Sequence, residues 1–141
     1  NNSEQKESWQ LTYEEGRKVI ESMRFAETSS LFGNEKDNSF KSTLGAIYQT
    51  FGGKDVYPTL EEKAANLLYM LVKNHSFNDG NKRIAAALFI YFLERNNLLF
   101  DTNKIPIIDN NTLAAMTLMI ALSKPEEKEI MCLLVLNMLN K

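Results

Sequence analysis

The chain has 141 residues, with 16 basic side chains against 18 acidic ones and a net charge of −2. That length fits one domain with a sizeable buried core, and the near balance of charge argues against broad nucleic-acid or membrane-surface binding. A single cysteine excludes an internal disulfide, which suits the reducing cytoplasm, and the longest apolar run, Ile84 to Leu93, is too short to span a bilayer.

Residues 1–8 are polar throughout and read as a tail or the edge of a longer protein; residues 9–141 read as one domain. No charged-then-apolar leader opens the chain, so secretion is unsupported. Thr12 with Glu15 is a capping-box pattern, and Val19, Ile20 and Met23 follow on one helical face. Residues 26–38 are polar around Gly33 and read as a loop, and a second helix is predicted over about 38–46. Ile47–Tyr57 alternates apolar and polar residues around Gly52-Gly53, the signal for a short hairpin. Thr59 with Glu62 is a second capping box, and Leu60, Ala64, Leu67, Leu68 and Leu71 form one apolar stripe over a helix at 59–74. After a short connection at 75–80, a helix is predicted over 81–97. Its segment Ile84 to Leu93 is apolar on nearly every face, which predicts a central helix surrounded by others. A connection with Pro106 covers 97–110. Helices at about 111–122 and 124–140 follow, the second opened by Ser123, Pro125 and Glu126. The reading is an all-α bundle with one short β-hairpin. Cys132 lies in an apolar helical run and reads as a small core residue rather than a nucleophile.

The densest chemistry lies in His75-Ser76-Phe77-Asn78-Asp79-Gly80-Asn81-Lys82-Arg83, which holds the chain's only histidine. Gly80 stands where a helix begins, and helix starts expose unpaired N–H groups that bind phosphate. Lys82 and Arg83 fall in the first turn, where cations oppose the helix dipole unless an anion sits there. Asp79 is a hard oxygen ligand suited to one position on Mg²⁺ whose other ligands are phosphates and water. Asn81 can hydrogen-bond phosphate oxygens, Phe77 is placed to turn inward and anchor the loop, and His75 can serve as general base. Each residue also has a plainer reading: a solvated histidine, a carboxylate serving as helix cap, a solvated basic pair. Their concentration within nine positions favours the site. Gly52-Gly53-Lys54 suggests a P-loop, but Tyr48 and Asp55 occupy the positions where that motif needs Gly and Ser or Thr, which leaves a hairpin turn.

This arrangement resembles the Fic/Doc (Fido) family, whose signature reads His-x-Phe-x-(Asp/Glu)-Gly-Asn-Gly-Arg-x-x-Arg. The chain matches at His75, Phe77, Asp79, Gly80, Asn81 and Arg83. It departs at Lys82, where most relatives have glycine, and at Ala86, where they have a second arginine. Both departures resemble the Doc branch. The likeness covers roughly residues 40–97, and the whole chain is also similar to the C-terminal Fic/Doc domain of RhuM-type bacterial virulence proteins. The resemblance implies transfer of a phosphate-containing group from ATP or another nucleoside triphosphate, with Mg²⁺, to a protein hydroxyl. His75 would be catalytic, Asp79 would hold the metal, and Gly80, Asn81, Lys82 and Arg83 would bind phosphates. It also implies that Ile47-Tyr48-Gln49-Thr50-Phe51-Gly52-Gly53-Lys54-Asp55-Val56-Tyr57 forms a flap on which a target protein docks by strand addition. Lys82 and Ala86 lean the reading to Doc-like phosphorylation. Protein AMPylation and a catalytically idle protein-binding module are the alternatives. The family's usual inhibitory helix finds no match, since Glu15 and Glu127 read as helix-cap residues. Restraint would then come from an antitoxin or an N-terminal domain outside this chain.

Overall fold

The computed structural model describes residues 8–140. Most of the predicted tail therefore lies outside the described residues. Helix α1 (Tyr13–Arg24) starts where the capping pattern places it, with Thr12 Oγ1 accepting the Glu15 N–H at 3.2 Å. Helix α2 (Ser39–Ile47) leads into two short strands, β1 (Thr50–Phe51) and β2 (Lys54–Asp55). Helix α3 (Leu60–Lys73) opens on the reciprocal box. Thr59 Oγ1 accepts from Glu62 N at 3.0 Å, and Glu62 Oε1 accepts from Thr59 N at 3.1 Å. Two orphan donors are thereby satisfied at once. Helices α4 (Asn81–Arg95), α5 (Asn110–Leu122) and α6 (Lys128–Leu139) complete an all-α bundle with a two-stranded antiparallel hairpin, the predicted class.

The centre of the bundle is α3, which packs against α2, α4, α5 and α6. Every position from Lys63 to Tyr69 is buried. This corrects the expectation that α4 is central. Helix α4 buries Ile84, Ala85, Leu88, Phe89, Phe92 and Leu93, but Ala86, Ala87, Ile90 and Tyr91 are only half-buried. Composition marks both helices as apolar, whereas neighbours on all sides decide which one is enclosed. Lys63, fully buried inside α3, is balanced by Asp55 Oδ2 at 3.2 Å and by the carbonyl of Tyr57. It ties the hairpin to the core by a charge that burial forbids to stay unpaired.

The predicted last helix is split. Residues Pro125–Glu127 form a 3-10 turn, in which Glu127 accepts the Lys124 N–H at 2.7 Å, and α6 begins after it. Ser123 closes α5 instead of opening the next helix: its hydroxyl donates to the Ile120 carbonyl at 2.7 Å, and its own carbonyl accepts Lys73 Nζ at 2.6 Å. Cys132 is half-buried and packs against the core, and burial pushes its thiol up, away from a nucleophilic thiolate. Among the described residues no helix is long and apolar enough to cross a membrane.

Candidate active site

The loop 75–80 joins α3 to α4, and each end of it is tied down. Asn74 caps α3, and its side-chain amide donates to Thr43 Oγ1 of α2 at 2.9 Å. Ser76 is fully buried, with its hydroxyl 2.6 Å from that of Ser39 at the start of α2. His75 sits between these two anchors in the left-handed region at φ +48, and its side chain is exposed. It makes no hydrogen bond or ion pair among the described residues, so both ring nitrogens are open to a substrate. A non-glycine residue with positive φ is held there by its surroundings, and the Asn74–Thr43 bond on one side and the buried Ser76 on the other supply that constraint.

Phe77 turns inward as expected: it is 1% exposed, and its ring meets Phe40 at 5.2 Å between centroids. Asn81 closes the loop on itself, its amide oxygen accepting from Phe77 N at 2.9 Å and its nitrogen donating to Phe77 O at 2.8 Å. The visible work of Asn81 is thus to shape the loop, which leaves one amide N–H for a further acceptor. Gly80 is left-handed at φ +90 and opens α4 without a side-chain cap. A Cβ at this position would lie 2.3 Å from the Phe32 ring, so only glycine fits by both backbone and space. The uncapped first-turn N–H groups of α4 are free to meet an anion.

Around that start stand the charges. Lys82 is exposed. Arg83 pairs with Glu27, lies 3.4 Å from Asp79 Oδ1 and stacks on the Phe32 ring at 5.0 Å. Two carboxylates therefore hold the guanidinium ready at the helix start. Glu27, Phe32, Thr43 and Ser39 are site-shaping residues that the sequence did not point to. They are separated from the loop by more than thirty positions or sit in a stretch that reads as an ordinary loop. That stretch is a surprise. Gly33 N donates to Asp79 O at 3.1 Å, Asn78 N to Asn34 O at 2.8 Å and Lys36 N to Ser76 O at 2.9 Å, so residues 32–36 run beside the loop like a strand.

The hairpin is shorter than predicted. Ile47 ends α2 and is fully buried, and Tyr48 caps that helix while its hydroxyl accepts the Leu11 N–H at 2.7 Å. The paired residues are Thr50 with Asp55 and Phe51 with Lys54, and the ladder continues with Val56 N donating to Gln49 O at 3.0 Å. Gly52 and Gly53 both have positive φ, as a two-residue hairpin turn of the primed kind requires. Antiparallel pairs alternate between bonded and non-bonded. With Gln49 bonded to Val56, the Thr50–Asp55 pair turns its N–H and C=O groups outward. Phe51 is 85% exposed at the tip.

A helical bundle that presents one histidine, two carboxylates and two cations at an uncapped helix start is built to receive an anion beside a base. Residues 10–93 match the Fic/DOC family, and the chain belongs to that family. It is also 49% identical over 49 residues to the protein named Toxin Doc of Mycolicibacterium smegmatis, a match covering 35% of this chain and 38% of that protein's length. The narrower likeness to RhuM-type domains stays an expectation of the sequence.

Proposed function

We propose that this chain moves a phosphate-containing group from a nucleoside triphosphate to a hydroxyl of a target protein, acting in the cytoplasm, and that the group is a single phosphoryl. The observation that carries the reading is the juxtaposition at the start of α4. An exposed His75 precedes an uncapped helix N-terminus opened by Gly80, with Asp79 and Arg83 3.4 Å apart beside it. His75 takes the proton of the attacking hydroxyl as general base. The first-turn N–H groups, Lys82 and Arg83 hold the phosphates and meet charge that develops on them during transfer. To do so Arg83 trades its contact with Glu27 for one with phosphate.

Among the described residues no group of three or more His, Cys, Asp or Glu side chains is placed to hold a metal ion. A lone Asp79 fits an ion whose remaining ligands are phosphates and water, and does not fit a resident ion. Asp79 would hold Mg²⁺ in that way, and the ion when bound would neutralise phosphate charge. The hairpin supplies a docking edge through the outward groups of Thr50, consistent with strand addition. Toxin Doc as a relative supports an antitoxin as the restraining partner. A groove of about 390 Å³, lined by Ala86, Leu113 and Leu118 among others, adjoins the start of α4 through Lys82 and Arg83.

Phosphoryl transfer is favoured over AMP transfer by Lys82, which adds bulk and charge where AMP-transferring relatives carry glycine, and by Ala86, which lacks their second phosphate clamp. The deciding experiment supplies Mg²⁺ and cell extract with ATP labelled at the α or the γ phosphate. Phosphoryl transfer places γ-label on protein and releases ADP. Strong α-labelling with pyrophosphate release would overturn the orientation argument in favour of AMPylation. No label of either kind, in the absence of any inhibitor, would favour the idle binding module. Lys82→Gly should raise α-label relative to γ-label.

A further inference from the structure

The bonds between Asn81 and Phe77 do not hold the signature loop alone. The loop's three ladder bonds run to residues 33, 34 and 36, a segment with no helix or sheet of its own. What fixes that segment is α1. Arg24 directs Nε and Nη2 at the Phe32 carbonyl, at 3.0 and 2.7 Å, and Nη2 also reaches Asn34 Oδ1 at 2.8 Å. Arg17 Nη1 donates to the Gly33 carbonyl at 2.8 Å. Glu21 sits between the two guanidiniums, 2.6 Å from Arg17 Nη2 and 2.8 Å from Arg24 Nη1. The fit around Gly33 is tight: its φ is +73, and a Cβ there would come within 2.5 Å of Ile20. Phe32, the residue Arg24 grips, underlies both Gly80 and Arg83.

We propose that Arg24 is a positioning residue for the transfer reaction. Its planar fork fixes the Phe32 carbonyl and the Asn34 side chain. That sets the 32–36 backbone, and through it the Asp79 carbonyl, the Asn78 N–H and the floor beneath Gly80. A lysine cannot replace it, because one ammonium on a flexible stem does not reproduce the fork that a guanidinium presents. The inference rests on the proposed transferase reading for its kinetic consequence, and on geometry alone for its structural one.

The test uses the full chain with Arg24→Gln and Arg24→Lys, the second serving if the first fails to fold. Two readouts are taken: amide hydrogen exchange and steady-state labelling of protein by ATP. The expected result is exchange at Gly33, Lys36 and Asn78 at least about tenfold faster, the factor that loss of one charge-assisted hydrogen bond supplies. Exchange within α3 should quicken by clearly less than at those amides, and the melting temperature should fall by only a few degrees. The rate constant kcat should fall by about tenfold while KM for ATP moves by less than about threefold, and Arg24→Lys should fail to restore it. Unchanged exchange at those three amides would overturn the proposal whatever the activity. Faster exchange spread equally through α3 would overturn it too, by making Arg24 merely structural. Absence of labelling by the unmodified chain would count against the transferase reading, while the exchange result would still decide whether Arg24 shapes the loop.

Discussion

At the scale of single residues, the signature loop separates side chains that spend their contacts inside the protein from one that spends none. Asn81 and Phe77 spend their contacts inside the protein, whereas His75 spends none among the described residues. A side chain with no internal partner contributes little to stability, so its removal should be clean. His75→Ala should lower protein labelling by about 10²–10⁴, the usual worth of general-base catalysis, with nucleotide affinity and melting temperature nearly unchanged. Equilibrium binding of a labelled nucleotide beside the labelling assay checks this. Undiminished labelling in the variant would remove His75 from proton transfer. The loop residues themselves were legible in the sequence because a helix start, a carboxylate and paired cations lie within nine positions. Glu27 and Phe32 were not, since nothing local to them signals that Arg83 and Gly80 will meet them.

At the scale of elements, the hairpin shows where pattern reading stops. Alternation around Gly52-Gly53 locates the turn, and the turn is there. Alternation cannot show that Ile47 is claimed by α2 and Tyr48 by a bond from Leu11. What remains is a short ladder anchored at its base by the buried Lys63. On the β1 edge the outward-facing N–H belongs to Thr50, and a proline there removes that donor without taking a bond from the Gln49–Val56 ladder. Thr50→Pro should therefore reduce transfer to a protein target while leaving nucleotide binding and melting temperature close to the original values. A variant that labels its target at the original rate would place docking elsewhere. A large drop in melting temperature would show that the hairpin is chiefly structural. The 32–36 segment teaches a related lesson. Its composition is that of a loop, and it is one by local rule, yet three backbone bonds make it the wall of the site.

At the scale of the whole molecule, helix periodicity was sufficient for the number of helices and their approximate limits, because the side-chain cap of Thr12 and the capping box at Thr59 mark starts locally. It was insufficient for their arrangement, because α3 and α4 are both apolar and only packing makes α3 the enclosed one. The same limit applies to Tyr48, which joins the segment before α1 to the end of α2 across 37 positions. Burial is the main cause that pushes its hydroxyl up to about 12, against an ordinary value of 10.0, with the bond from Leu11 N acting the other way. A raised acid means that the folded state prefers the neutral form. The stabilisation is complete below pH 10 and is lost as pH rises from 10 towards 12, by up to about 2–3 kcal/mol. Tyr48→Phe strands the Leu11 N–H and should cost about 1–2 kcal/mol at pH 8. It also has no hydroxyl to ionise, so its disadvantage should shrink steadily between pH 10 and 12. Tyr13, Tyr69 and Tyr91 are raised as well, but they are common to both proteins and cancel in the difference. Urea unfolding of the two chains at a series of pH values measures that difference directly. A gap that stays constant through pH 11.5 would show that Tyr48 ionises as readily folded as unfolded, and that the tie between Leu11 and α2 is not buried in solution.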